Sequence, residues 1–168
     1  EYRRQRQMCI RDSKNPLDGE VATRAPAATP ADAVAAVEAA SAAFPAWSAT
    51  GPGKRRALLL KAADALEAKL PAFVAAMAGE TGATAMWAGF NVHLAADGLR
   101  EAAALTTQIT GDVIPSDVPG SLALAVRQPA GVVLGIAPWN APVILGVRAV
   151  AAPLACGNTV VLLSLIHI

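Results

Sequence analysis

The chain has 168 residues, of which 54% are apolar, 16% charged and only 4% aromatic, and its formal net charge is +1. So apolar a composition with so little charge excludes whole-chain disorder, and near-neutrality gives no electrostatic reason to expect nucleic acid or an anionic membrane surface as a partner. Two cysteines in unlike contexts, Cys9 and Cys156, make no disulfide framework and point to a reducing, cytoplasmic setting.

Residues 1–13 have no apolar period. The strings RQMCIRDS and LSLIHI read like translated adapter sequence, so residues 1–13 and 163–168 are expected to be non-native ends. Setting the ends aside removes four of the 14 basic and two of the 13 acidic residues and turns the net charge to −1. From Lys14 a turn cluster, Asn15-Pro16-Leu17-Asp18-Gly19-Glu20, leads into an extended stretch over residues 21–25. Thr29-Pro30 with Asp32 then opens a helix, because a hydroxyl N-cap, a first-turn proline and a first-turn carboxylate each favour a helix N-terminus. Val34, Val37, Ser41 and Phe44 form its expected buried stripe.

Gly51-Pro52-Gly53 breaks the chain before a second helix, with Leu59, Ala62, Leu66 and Leu70 as its expected inner face. Pro71 restarts it as a third helix to about Thr81. After Gly82 a long helical stretch, residues 83–109, carries Trp87, Phe90, Leu94 and Leu105. The pattern then changes period. Leu122, Leu124 and Val126 alternate with Ala123, Ala125 and Arg127, which predicts a half-buried strand, and residues 132–136 predict a fully apolar one. A helix over residues 142–155 and a strand over 158–162 follow, which makes a parallel βαβ unit.

Residues 128–147 and 149–168 each lack charge for twenty positions, the length of a membrane span. Pro129, Pro138, Pro142 and Pro153 chop them into pieces that suit the buried strands and helices of an α/β sheet instead, so no membrane partner is expected.

Ligands of open parallel sheets bind beyond the carboxyl ends of strands. Here that place is Ala137-Pro138-Trp139-Asn140-Ala141-Pro142. One reading makes Trp139 core, Asn140 a helix cap and the prolines punctuation. The other makes Asn140 an oxyanion donor through its side-chain NH2 and backbone N–H. No G-x-G-x-x-G follows the strand, so the usual dinucleotide fingerprint is absent. Cys156 reads as a buried structural thiol, His93 as a lone surface or core histidine and Glu80 as a helix-end carboxylate. No metal-ligand spacing stands out.

PAGVVLGIAPWNAP followed by VRAVAAPLACGNTVVL closely resembles the cofactor-domain entry of the NAD(P)-dependent aldehyde dehydrogenase superfamily, and NPLDGEVATRAPAATPADAVAAVEAASAAFPAWS resembles its amino-terminal segment. GETGATAMWAGFN and GDVIPSDVPGSLALAVRQPAGVV resemble the salicylaldehyde and vanillin-type members, which oxidise aromatic aldehydes. The resemblance implies a truncated α/β fold: an amino-terminal helical segment (14–120), an oligomerisation-sheet strand and turn (121–130), and the first βαβ of a Rossmann-like cofactor domain (131–162).

It further implies attack by a cysteine thiolate on the aldehyde, hydride transfer to NAD or NADP, and thioester hydrolysis helped by a glutamate. By position it makes Asn140 the oxyanion amide and Ile136, Ala137, Pro138 and Trp139 the cofactor-lining segment. Trp87, Ala141, Leu145 and Arg148 become substrate contacts, with Arg148 hydrogen-bonding a ring hydroxyl or else serving a structural ion pair. The family nucleophile and general base match no position here, so the chain alone is expected to be inactive. Leu163 stands where the family carries a ribose-binding lysine. The whole enzyme is expected to be a homodimer or homotetramer acting on a small aldehyde. An aliphatic semialdehyde is the rival substrate, and a non-catalytic nucleotide-binding or assembly module the rival function.

Overall fold

The computed structural model describes residues 10–164. The segment opens with a hairpin in which β1 (Ile10–Lys14) pairs antiparallel with β2 (Val21–Pro26). The turn closes on its own side chains: Asn15 Oδ1 accepts from Leu17 N, and Asp18 Oδ1 from Glu20 N. Residues 10–13, expected to belong to a foreign end, therefore stand in register with residues 23–26. The reason is physical: a ladder is made by backbone N–H and C=O groups, so a segment of unlike composition can still extend it. Residues 1–9 and 165–168, with Cys9 and His167, lie outside the described residues.

Helix α1 (Pro30–Ser48) starts at the expected capping box, where Thr29 Oγ1 accepts from Asp32 N and Asp32 Oδ2 accepts from Thr29 N. Its inner face differs from the expected stripe. Val34 and Val37 are exposed, and the residues turned inward are Ala36, Ala40, Phe44 and Trp47. In a helix this rich in alanine several faces are equally apolar, so packing chooses among them.

Helix α2 (Pro52–Ala68) is followed by α3 (Leu70–Thr81), which ends on Gly82 at φ 68°, a left-handed cap that a side chain would strain. Helix α4 (Ala85–Leu105) begins at Thr84, whose hydroxyl accepts from Trp87 N. It stops short of the expected residue 109 because buried Thr106 turns its hydroxyl back onto the Ala103 carbonyl. The core is a helix junction, with Leu59 and Ala63 of α2 against Ala96, Leu99, Ala102 and Ala103 of α4. Ala63 occupies the place expected of Ala62, which is exposed. Outside this core Arg100 bridges α4 to Asp64 and Glu67 of α2, and its guanidinium, with help from His93, holds the Glu67 carboxyl down at about 2.

Strands β3 (Asp112–Ile114) and β4 (Ala123–Ala125) form a second hairpin. β4 is shorter than the expected strand, and its apolar face is open rather than half-buried: Leu122, Leu124 and Val126 are all exposed. The βαβ unit is as expected, with β5 (Val132–Ala137) and β6 (Thr159–Ser164) parallel and joined by α5 (Pro142–Ala155). β6 runs past residue 162, so Leu163 and Ser164 pair with Ile136 and Ala137.

Side chains of β5 alternate between two covers. On one face Gly135 lets α5 come close: a Cβ there would stand 3.0 Å from Ala149 Cβ and 3.2 Å from Ala149 O. On the other face Thr159, which shares the side of Val132 by register, donates to Ala40 O of α1 at 2.9 Å. No helix among the described residues is long and apolar enough to cross a membrane.

Candidate active site

The carboxyl end of β5 and the start of α5 make one corner. Pro138 cannot donate to the ladder and ends the strand, and Pro142, with its φ preset, begins the helix. Residues 138–141 bend between them. The helix N-cap is Ala141, at φ −141° and ψ 66°, with no side-chain cap and no acid in the first turn. Its first amides are therefore uncapped by side chains among the described residues, and no first-turn acid meets the positive end of its dipole.

Asn140 is exposed at this mouth and makes no hydrogen bond among the described residues. The cap position thus falls one residue later than a capping role for Asn140 requires. Trp139 is 50% exposed, so it is not a core residue of this segment. Ala137 and Ala141 are buried on either side of the loop, while Ile136, at 52% exposure, lies open beside Leu163. Exposed Ile136 and Trp139 present apolar surface at this corner. It offers no charged side chain from β5 or from residues 138–141.

The opposite end of α5 is anchored. Asn158 Nδ2 donates to Pro153 O at 3.2 Å, Trp47 Nε1 to Leu154 O at 3.2 Å, and Arg55 Nε to Ala155 O at 3.0 Å. Arg55 also donates to Thr50 O, and Asn158 Oδ1 accepts from Ala130 N and Gly131 N ahead of β5. Strand, helix and loop are thereby tied at one end, which fixes the direction in which the other end points. Cys156 sits at this anchored end and is exposed, not buried as expected, because the turn after α5 carries it away from the core. A helix of 14 residues is about 21 Å long, so the thiol is a helix length from Asn140.

Of the expected substrate contacts, Arg148 reaches a groove of about 420 Å³ between α4 and α5, walled by Leu94, Gly98, Ile144 and Val147. Leu145 is half-buried and Ala141 buried, and neither lines that groove. Trp87 stacks on Phe90 with ring centroids 5.5 Å apart, at the end of α4 from which Leu94 leads into the groove. Sequence reasoning missed the groove. Its signal was Gly98, a glycine inside a long helix, whose absent side chain leaves room opposite Val147. Arg148 makes no ion pair among the described residues.

The aldehyde dehydrogenase family model matches residues 2–164. The chain belongs to the aldehyde dehydrogenase family. Among curated relatives, the vanillin dehydrogenase of Pseudomonas sp. strain HR199 is 69% identical over 153 residues, which are 91% of this chain and 32% of that protein. Among solved structures, the salicylaldehyde dehydrogenase of Pseudomonas putida G7 complexed with salicylaldehyde superposes with a TM-score of 0.90 at 49% identity, covering 94% of this chain and 33% of that one. PnpE, solved in complex with nicotinamide adenine dinucleotide, gives 0.88 at 38% identity over 92% of this chain and 32% of its own. The chain spans about a third of the length of these relatives. Within the aldehyde dehydrogenase fold it is an α/β piece from the amino-terminal part, ending in a parallel βαβ unit.

Proposed function

We propose that this segment supplies the oxyanion donor and one wall of the substrate passage of an enzyme that oxidises an aromatic aldehyde to its carboxylic acid. The observation that carries the reading is Asn140, an exposed amide with no partner among the described residues, at the uncapped mouth of a helix whose far end is anchored three times. An aldehyde oxygen placed there accepts from the Asn140 side chain while negative charge develops on it, and the positive end of α5 adds to the stabilisation. Anchoring at Pro153, Leu154 and Ala155 keeps those donors in place, so little reorganisation is needed as the charge forms.

Ile136, Ala137, Pro138 and Trp139 would hold a nicotinamide cofactor, which accepts the hydride when bound; NAD is the favoured form. Arg148 would face the ring, donating to a hydroxyl or phenolate, with Trp87 as a further wall and Ala141 and Leu145 on the same helix. The nucleophile must come from outside this segment, since its described cysteine lies at the wrong end of α5. The aromatic reading is favoured over the aliphatic semialdehyde by the apolar groove walls and by relatives named for vanillin and salicylaldehyde. The open strand β4, with Leu124 and the flanking Leu122 and Val126 exposed, suits the pairing of subunits in a homodimer or homotetramer.

The deciding experiment is Asn140→Ala in the full-length enzyme, assayed with salicylaldehyde, vanillin and succinic semialdehyde. The expected loss in kcat is ~10²–10³-fold, equivalent to ~2.7–4 kcal/mol, with KM changing far less. A variant that keeps its kcat would overturn the assignment, and a preference for the semialdehyde would overturn the substrate class.

A further inference from the structure

The groove between α4 and α5 holds charges of both signs. Arg148 reaches it from α5, and Asp97 and Glu101 reach it from successive turns of one face of α4. Asp97 is engaged, since Arg100 Nη1 donates to its Oδ1 at 3.4 Å. The Glu101 side chain has no hydrogen bond or ion pair among the described residues, and neither has that of Arg148. The two helices are in close contact beside them: a Cβ on Gly98 would stand 3.9 Å from Val147 Cγ1, with Glu101 one turn beyond Gly98 and Arg148 the residue after Val147. An occupant of this groove meets both a free guanidinium and a free carboxylate between apolar walls.

We propose that Glu101 is a specificity-determining residue, selecting aldehydes whose ring carries a neutral hydroxyl and rejecting those that carry a second carboxylate. The inference rests on the reading that Arg148 faces the aldehyde. A hydroxyl is both donor and acceptor, so it satisfies Glu101 and Arg148 together, whereas a carboxylate only accepts. It gains from Arg148 but is repelled by Glu101, both of which are solvent-exposed, so the repulsion is moderate.

The test compares kcat/KM of the full-length enzyme and its Glu101→Gln and Arg148→Met variants on benzaldehyde, 4-hydroxybenzaldehyde and 4-formylbenzoate. Glu101→Gln keeps the shape and removes the charge, and should raise the ratio of 4-formylbenzoate to benzaldehyde by ~3-fold, the order one like charge exerts over a few ångströms at a solvent-exposed site. Glu101→Asp, which keeps the charge, should leave that ratio near its original value. An unmoved ratio in Glu101→Gln overturns the proposal. Arg148→Met separates the two readings: it should lower the ratio of 4-hydroxybenzaldehyde to benzaldehyde, and if it does not, the role of Arg148 fails whatever Glu101→Gln shows.

Discussion

The two ends of α5 are built in opposite ways. At the C-terminal end, side chains from α1, from α2 and from the turn before β6 donate to three consecutive carbonyls, those of Pro153, Leu154 and Ala155. At the N-terminal end no side chain among the described residues caps the helix, and its first turn holds no acid. Both ends leave orphan backbone groups, and a fold selected for stability alone would satisfy both. Here the cost of the bare end, ~0.5–2 kcal/mol for a missing cap, is offset where the helix is anchored. The difference teaches that rigidity and availability can be divided along one helix: the held end sets the geometry, and the open end leaves its donors unengaged by side chains of the described residues.

That contrast can be broken from either side. Arg55 is only 8% exposed and ties Ala155 O to Thr50 O, so Arg55→Met should lower stability by ~2–4 kcal/mol, seen as a fall in unfolding midpoint. If the anchor also aims Asn140, kcat falls with it in enzyme that is still folded; an unchanged kcat would show that the two ends are independent. Trp47→Phe removes one of the three bonds and should cost ~0.5–1.5 kcal/mol. Ala141→Ser does the reverse at the open end. Its hydroxyl caps the first-turn amides, which should raise stability by ~0.5–1 kcal/mol while lowering kcat. A gain in stability with full activity would mean those amides are not used.

The smallest effect lies away from both ends. Arg100 holds Glu67 at about 2, below its ordinary 4.5, so the pair stabilises the fold above pH 4.5 and that contribution is lost as the pH falls toward 2. The difference in unfolding midpoint between wild type and Glu67→Gln should shrink as the pH falls across that interval.

Punctuation made much of the fold legible. Thr29-Pro30, Gly82 and Pro142 mark element ends by fixed backbone chemistry, and those ends stand within a residue or two of where the sequence puts them. Faces were harder to read. In α1 and α2 the expected stripes picked valines or a neighbouring alanine, because among so many alanines hydrophobic period carries little information. Arg55 is one of three cations at the start of α2, and it alone stands four and eight residues before buried Leu59 and Ala63, a spacing that places it on the inner face. The corner around Asn140 was legible because proline on both sides leaves the chain few options. The groove was not, since it belongs to two helices about fifty residues apart in sequence and neither shows it alone.

The contact between Gly135 and Ala149 limits how this corner can evolve. A methyl group at position 135 meets the Ala149 side chain at 3.0 Å and its carbonyl oxygen at 3.2 Å. Shrinking residue 149 relieves only the first of these clashes, for the second is with main chain that no substitution deletes. A side chain at position 135 therefore requires the main chain of α5 to give by a few tenths of an ångström, which couples the strand to the seating of the helix whose mouth it supports.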